Sequence, residues 1–218
     1  MTPCKNCPNR EITAANLREG DFPRGIQLEL GEPRATPGVI VIGSNPGTAA
    51  SWEKRVYAEA LVDRQSIEAT DQACWIRVTA YTHPYYVTLR HFIRVVGYDG
   101  PIYWTEAIKC QGSHGRAVKR SCAVGLNQEI EERPGWAIFF VGGVAFEAFD
   151  QLDSQLLVNR VVMRLPHPSG RQRTYSWPEI LYNLSSLTVE KREMLREPVK
   201  IKQQQDVPLM TIDLLKTL

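Results

Sequence analysis

Two cysteines three residues apart, Cys4 and Cys7, are answered past the middle of the chain by Cys110 and Cys122, which have eleven residues between them. Four thiolates can hold one tetrahedral zinc or a 4Fe–4S cluster, and the spacing alone does not choose between the two. Four unconnected thiols are the plain alternative, and the tight first pair weighs against it. The fifth cysteine stands in Ala73-Cys74-Trp75-Ile76 and reads as an inert core thiol.

Three further stretches carry polar groups in constrained backbone. In Gly43-Ser44-Asn45-Pro46-Gly47, two glycines and a proline force a tight turn that exposes backbone N–H groups. That turn can hold Asn45 as a fixed amide, able to orient an attacking water; the alternative is an ordinary strand exit. The loop lacks the Lys and Ser/Thr of a P-loop and the spacing of a dinucleotide fingerprint, which disfavours nucleoside triphosphate and NAD chemistry. In Pro166-His167-Pro168-Ser169-Gly170-Arg171-Gln172-Arg173, a histidine held between prolines suits donation to an oxygen that gains charge, and Ser169, Arg171 and Arg173 suit phosphate contact. A capping turn with solvated arginines is the competing account. Finally, the aromatic run Tyr81-Thr82-His83-Pro84-Tyr85-Tyr86 precedes a helix, where Tyr85 or Tyr86 could stack on a base or simply pack a core edge.

These residues need a frame. Apolar runs rich in β-branched residues and bounded by Gly or Pro predict strands at 38–42, 102–108, 136–141 and 160–165. Helical patterns fill the intervals at 51–70, with Ser51 as N-cap, and at 87–96, 119–132 and 144–152. Strands alternating with helices predict an α/β protein with a parallel sheet. Ligands bind such sheets beyond the carboxyl ends of the strands, where Gly43–Gly47, Cys110–Gly115 and Pro166–Gly170 all fall. A helical segment after Trp177-Pro178 runs to about Arg196. Beyond Pro198 a polar run leads to an amphipathic stretch at 207–218, so residues 1–197 read as one domain and 198–218 as a C-terminal tail that docks or meets a partner.

With 218 residues and 43% hydrophobic content, the chain can bury a substantial core. A net charge of +2 gives no whole-molecule field for nucleic acid, so any binding face must come from local clusters such as Lys119-Arg120 and Arg164, Arg171 and Arg173. No apolar run is long enough for a membrane span and no leader opens the chain, so a cytoplasmic monomer is expected.

Together these pieces resemble the uracil-DNA glycosylase superfamily, closest to its iron–sulfur-containing branches, over roughly residues 4–173. In that group a Cys-x-x-Cys lies near the start, and a Gly-x-x-Pro-Gly loop follows the first strand. A Lys-Cys ends the second strand, another Cys follows, and a His-Pro-Ser loop follows the last. The resemblance implies a three-layer α/β sandwich with a central four-stranded parallel sheet flanked by helices. It implies a base-excision repair enzyme that flips a deaminated base out of DNA and hydrolyses its N-glycosidic bond, leaving an abasic site. It further implies Asn45 holding the water, His167 stabilising the departing base anion, Ser169, Gly170, Arg171 and Arg173 at the DNA, Gly43, Ser44, Pro46 and Gly47 forming the loop, and Tyr85 or Tyr86 as the stacking ring. Cys4, Cys7, Cys110 and Cys122 would hold a 4Fe–4S cluster, with zinc as the other occupant.

Two positions depart from the pattern. Ser44 stands where the iron–sulfur branches often carry Glu, and Asn45 beside it looks more like the mismatch-specific and single-strand-selective branches. Glu106 stands where many relatives have the Asn that reads the uracil edge. An ionised carboxylate only accepts hydrogen bonds, so it suits uracil N3–H and repels O4. Either burial keeps Glu106 neutral, or the pocket prefers a base with an amino group at that edge. A non-catalytic or weakly catalytic nucleic-acid-binding protein on the same fold is the alternative function.

Overall fold

A computed structural model of the chain describes residues 27–31, 36–44, 75, 79, 83–109, 115–168, 176–198, 200–201 and 203–218. Five strands form one sheet: β1 (Leu28–Leu30), β2 (Val39–Gly43), β3 (Ile102–Glu106), β4 (Ala137–Val141) and β5 (Val162–Leu165). The spatial order is β1-β3-β2-β4-β5, with β1 antiparallel to β3 and every other pair parallel. The sheet is therefore five-stranded and mixed, a correction to the four parallel strands expected. β1 escapes sequence reading because it is only Leu-Glu-Leu, too short to show a period.

The other four strands read clearly because both of their faces are covered. Val39, Val41, Trp104, Phe139, Val141, Met163 and Leu165 pack on one face against α1 (Pro84–Val96), α4 (Trp177–Ser186) and α6 (Ile212–Thr217). Ile40, Ile42, Tyr103, Ile138, Phe140 and Val162 pack on the other, against α2 (Arg116–Glu131) and α3 (Gly143–Phe146). A strand buried on both sides loses the polar half of its alternation and becomes a continuous apolar run, as Val39-Ile40-Val41-Ile42 and Ala137-Ile138-Phe139-Phe140-Val141 are.

The helices start and stop for local reasons. Pro84 occupies the first turn of α1, where its missing N–H costs nothing, and Gly97 ends it at φ +102°, a left-handed conformation that favours glycine. Ser176 caps α4, and Thr188 begins α5 (Val189–Met194) after a break at Leu187. The predicted helix at 144–152 is shorter than expected: α3 stops at Phe146, and a 3₁₀ turn at Phe149–Gln151 follows. The predicted helix at 51–70 lies outside the described residues.

Two devices close the sheet's flanks. β1 is tied to α2 by Arg133, whose guanidinium pairs with Glu29 at 3.0 Å and lies 3.5 Å from the Tyr103 ring centre. At the far edge, residues 208–210 run parallel to β5: Arg164 N–H donates to Pro208 O and Met210 N–H to Arg164 O, both at 2.9 Å. Val207, Met210 and Leu215 are buried in consequence. No described helix is long and apolar enough to cross a membrane.

Candidate functional site

Because the chain passes from β2 to β3 on one side and places β4 on the other, a crevice opens beyond the carboxyl ends of β2 and β4. Gly43 ends β2 there, and the following Ser44 is held by its carbonyl, which accepts from Ile108 N–H at 3.0 Å. The Gly43 carbonyl likewise accepts from Ala107 N–H at 2.9 Å, so the exits of β2 and β3 are stitched together. A Cβ on Gly43 would lie 3.0 Å from Tyr85 Oη and 3.5 Å from Glu106 Cγ. Glycine is needed here for close approach: three residues from three elements meet at that point.

Tyr85 and Tyr86 open α1 but face different surroundings. Tyr86 is buried and sets its ring edge-on against Trp104 at 5.2 Å, whereas Tyr85 is partly exposed and lies 5.1 Å from the His167 ring. Of the two, Tyr85 is placed to meet a ligand. Burial, then the neighbouring Tyr86 and Glu106, push its phenol well above the ordinary value, so it remains an O–H donor beside the Glu106 carboxyl. His83, just before α1, adds a ring 4.9 Å from Tyr86.

His167 follows β5 and packs over Gly142, whose added Cβ would lie 3.4 Å from the His167 Cβ. Gly142 also has φ +85°, so both space and backbone argue for glycine at the β4 exit. Burial lowers the His167 pKa below its ordinary 6.5, which makes the imidazole neutral at pH 7 and able to donate from one nitrogen while accepting at the other.

Behind β3 lies a network that the sequence does not announce. The Lys109 ammonium donates to Glu129 of α2 at 2.7 Å and to Thr105 Oγ1; Thr105 Oγ1 donates to the same carboxylate at 2.6 Å, and the Gln27 amide reaches its other oxygen. Burial lowers the Lys109 pKa, and Glu129 opposes that shift first among its neighbours, followed by Glu106. A Glu in the last turn of a helix and a Lys before a Cys both pass for surface residues in sequence. The usable signal was position: Glu129 falls on the same helical face as Leu126 and Ile130 and next to the apolar stripe.

Of the four candidate thiolates, Cys122 is buried on α2 and packs with Val118 and with Ile108, which stands two residues before Cys110 in the chain. Cys4, Cys7 and Cys110 lie outside the described residues, as do Asn45, Pro46, Gly47, Ser169, Gly170, Arg171 and Arg173, and Cys74. Among the described residues no group of three metal-ligating side chains forms. The site thus joins Gly43, Ser44, Tyr85, Glu106 and His167 and adds Gly142 and His83, which the motif reading did not single out. No protein-family model, curated protein or solved structure matches the chain.

Proposed function

We propose that this chain is a monofunctional DNA glycosylase that removes uracil or a related deaminated base from DNA by hydrolysis. One observation carries the reading: a neutral histidine, a protonated tyrosine and a carboxyl group converge with a glycine strand exit at the carboxyl end of an α/β sheet. That arrangement suits a flat, polar ring whose N-glycosidic bond is to break. As the bond lengthens, negative charge develops on the base and positive charge on the sugar. The His167 N–H would donate to the base oxygen that gains charge, and its neutrality avoids a permanent cation in the crevice. Asn45, one residue beyond Ser44, would hold the water, Tyr85 would lie against the base, and Glu106 would face its hydrogen-bonding edge. The finer architecture, a three-layer sandwich of the glycosylase type, belongs to this proposal; helices on both faces of the sheet support it.

The chemistry of the donor set fits a four-thiolate centre. Cys122 lies in an apolar nest with Ile108, near where the chain enters Cys110, and Cys4 and Cys7 would complete the set. A 4Fe–4S cluster, or zinc, held there would tie loops together without taking part in bond cleavage.

The test is cleavage at abasic sites after incubating purified, metal-replete protein with single- and double-stranded oligonucleotides carrying uracil, hypoxanthine, xanthine or normal bases. Excision of a deaminated base is expected, with His167→Ala lowering its rate by about 10²–10³ while DNA binding persists. Salt-dependent DNA binding with no excision would instead favour the non-catalytic binding protein, for which Glu106 is the motivating residue.

A further inference from the structure

The opposite end of the sheet holds a second concavity. Its volume is about 250 Å³, and its walls come from the segments entering β2, β4 and β5, including Pro37, Ala137 and Val161, and from the chain leaving α1 and α5, including Tyr98 and Arg196. A five-residue strand spans roughly 17 Å, so a ligand here could not also touch His167 or Glu106.

Two donors mark this cavity. Among the described residues, Tyr98 Oη and Arg196 Nε are buried without a hydrogen-bond partner, a state that costs each its hydration. Both belong to residues that line the cavity, and they sense each other electrostatically: burial raises the Tyr98 pKa and Arg196 pulls it back. The Arg196 guanidinium is also fixed in place. One Nη donates to Gly97 O at 3.2 Å and the other to Glu193 at 3.4 Å. Neighbouring arginines brace the same corner: Arg192 reaches Val95 O, and Arg94 reaches Tyr98 O and Gly100 O. Asp99 and Arg196 are the ionised side chains that line the cavity, and Arg94 and Arg192 beside them are balanced by Glu193 and Glu197, so the two donors, and not net charge, would select a ligand.

We propose that this cavity binds a small oxyanion, a phosphate monoester or a carboxylate, with Tyr98 Oη and Arg196 Nε donating to its oxygens. The chemistry follows from the donor set: two donors without an acceptor, one of them on a guanidinium, call for a group that offers two acceptor oxygens. The volume limits the ligand to a small metabolite, below the usual range of about 300–1,000 Å³ for drug-sized pockets. This inference is independent of the glycosylase reading.

The experiment titrates the full-length protein with inorganic phosphate, glycerol phosphate and acetate at constant ionic strength, following binding by calorimetry and the melting temperature by fluorescence. Saturable binding of at least one is expected, and the three arms separate phosphate from carboxylate. Tyr98→Phe keeps the ring against Phe139 and should weaken binding about tenfold, the loss of one charge-assisted hydrogen bond. Arg196→Gln should abolish saturation. The proposal is overturned if no arm saturates, or if binding is the same in both variants. It is equally overturned if Tyr98→Phe raises the melting temperature without any anion dependence, the signature of a void that holds water alone.

Discussion

Arg160 is a buried cation and Lys109 a partly buried one, at opposite ends of the same sheet, and the fold satisfies them in opposite ways. Among the described residues, Arg160, just before β5, has no carboxylate partner. Its guanidinium donates to the carbonyl of Ile130 at 3.0 Å, at the carboxyl end of α2, and to those of Arg133 at 2.6 Å and Trp136 at 3.2 Å in the turn that follows it. Lys109, just past β3, instead faces a carboxylate whose two oxygens are also held by Thr105 and Gln27. A helix end offers a fixed fan of partial negative charges, which a planar guanidinium can fill. A strand exit offers no such fan, so an ammonium there needs a full counter-charge from a neighbouring element. The first solution locks a helix to the bottom of the sheet; the second locks the strand that carries Glu106 to α2, and so steadies the crevice.

The largest effect should come from breaking the charge pair. Lys109→Met leaves Glu129 buried without its cation and should cost about 3–5 kcal/mol in urea unfolding. Adding Glu129→Leu should recover most of that loss; a double variant as unstable as the single one would mean the two do not act as a unit. Arg160→Met comes next, at about 2–3 kcal/mol for the carbonyls it strands, with Arg160→Lys recovering only part because a point charge cannot span three acceptors. Gly142→Ala should cost about 1–2 kcal/mol through its left-handed backbone and, by displacing His167, lower excision.

A pH titration sharpens the contrast with a smaller effect. Neither a guanidinium nor a carbonyl titrates between pH 5 and 8, so the deficit of Arg160→Met should stay constant over that range. His167 behaves otherwise. Its folded pKa lies below 6.5, so in the window between that value and 6.5 the unfolded chain binds more protons, and its contribution to stability rises with pH and is lost on acidification. His167→Asn should flatten the fall in melting temperature below pH 6.5; an unchanged slope would place the titration elsewhere.

How much of this was legible depended on what each residue is buried against. β2 and β4 were plain because both faces are covered, and Gly43 and His167 were plain because turn-forming residues directly follow apolar runs. The same logic was available at Val141-Gly142-Gly143, another apolar run ending in glycine, but no motif drew attention to it. Arg160 and Glu129 could not be found by composition, since a charged residue is ordinarily solvated and only the three-dimensional meeting of α2 with β3 and β5 buries them. Tyr85 and Tyr86 formed an undivided pair in sequence; the helical turn of about 100° between neighbours separates them into a crevice ring and a core ring.

The short segment at 208–210 also has a consequence in time. Translation delivers β5 well before the residues that pair with its outer edge, and at about 5–20 residues per second the delay lasts a few seconds. Through that interval β5 presents open N–H and C=O groups, the kind of edge that recruits foreign strands. Arg164, set in the middle of β5 with its guanidinium 4.0 Å from the centre of the Phe146 ring, gives that edge a charge while it waits. That charge should disfavour misassociation of the nascent chain until residues 208–210 arrive to cover the edge.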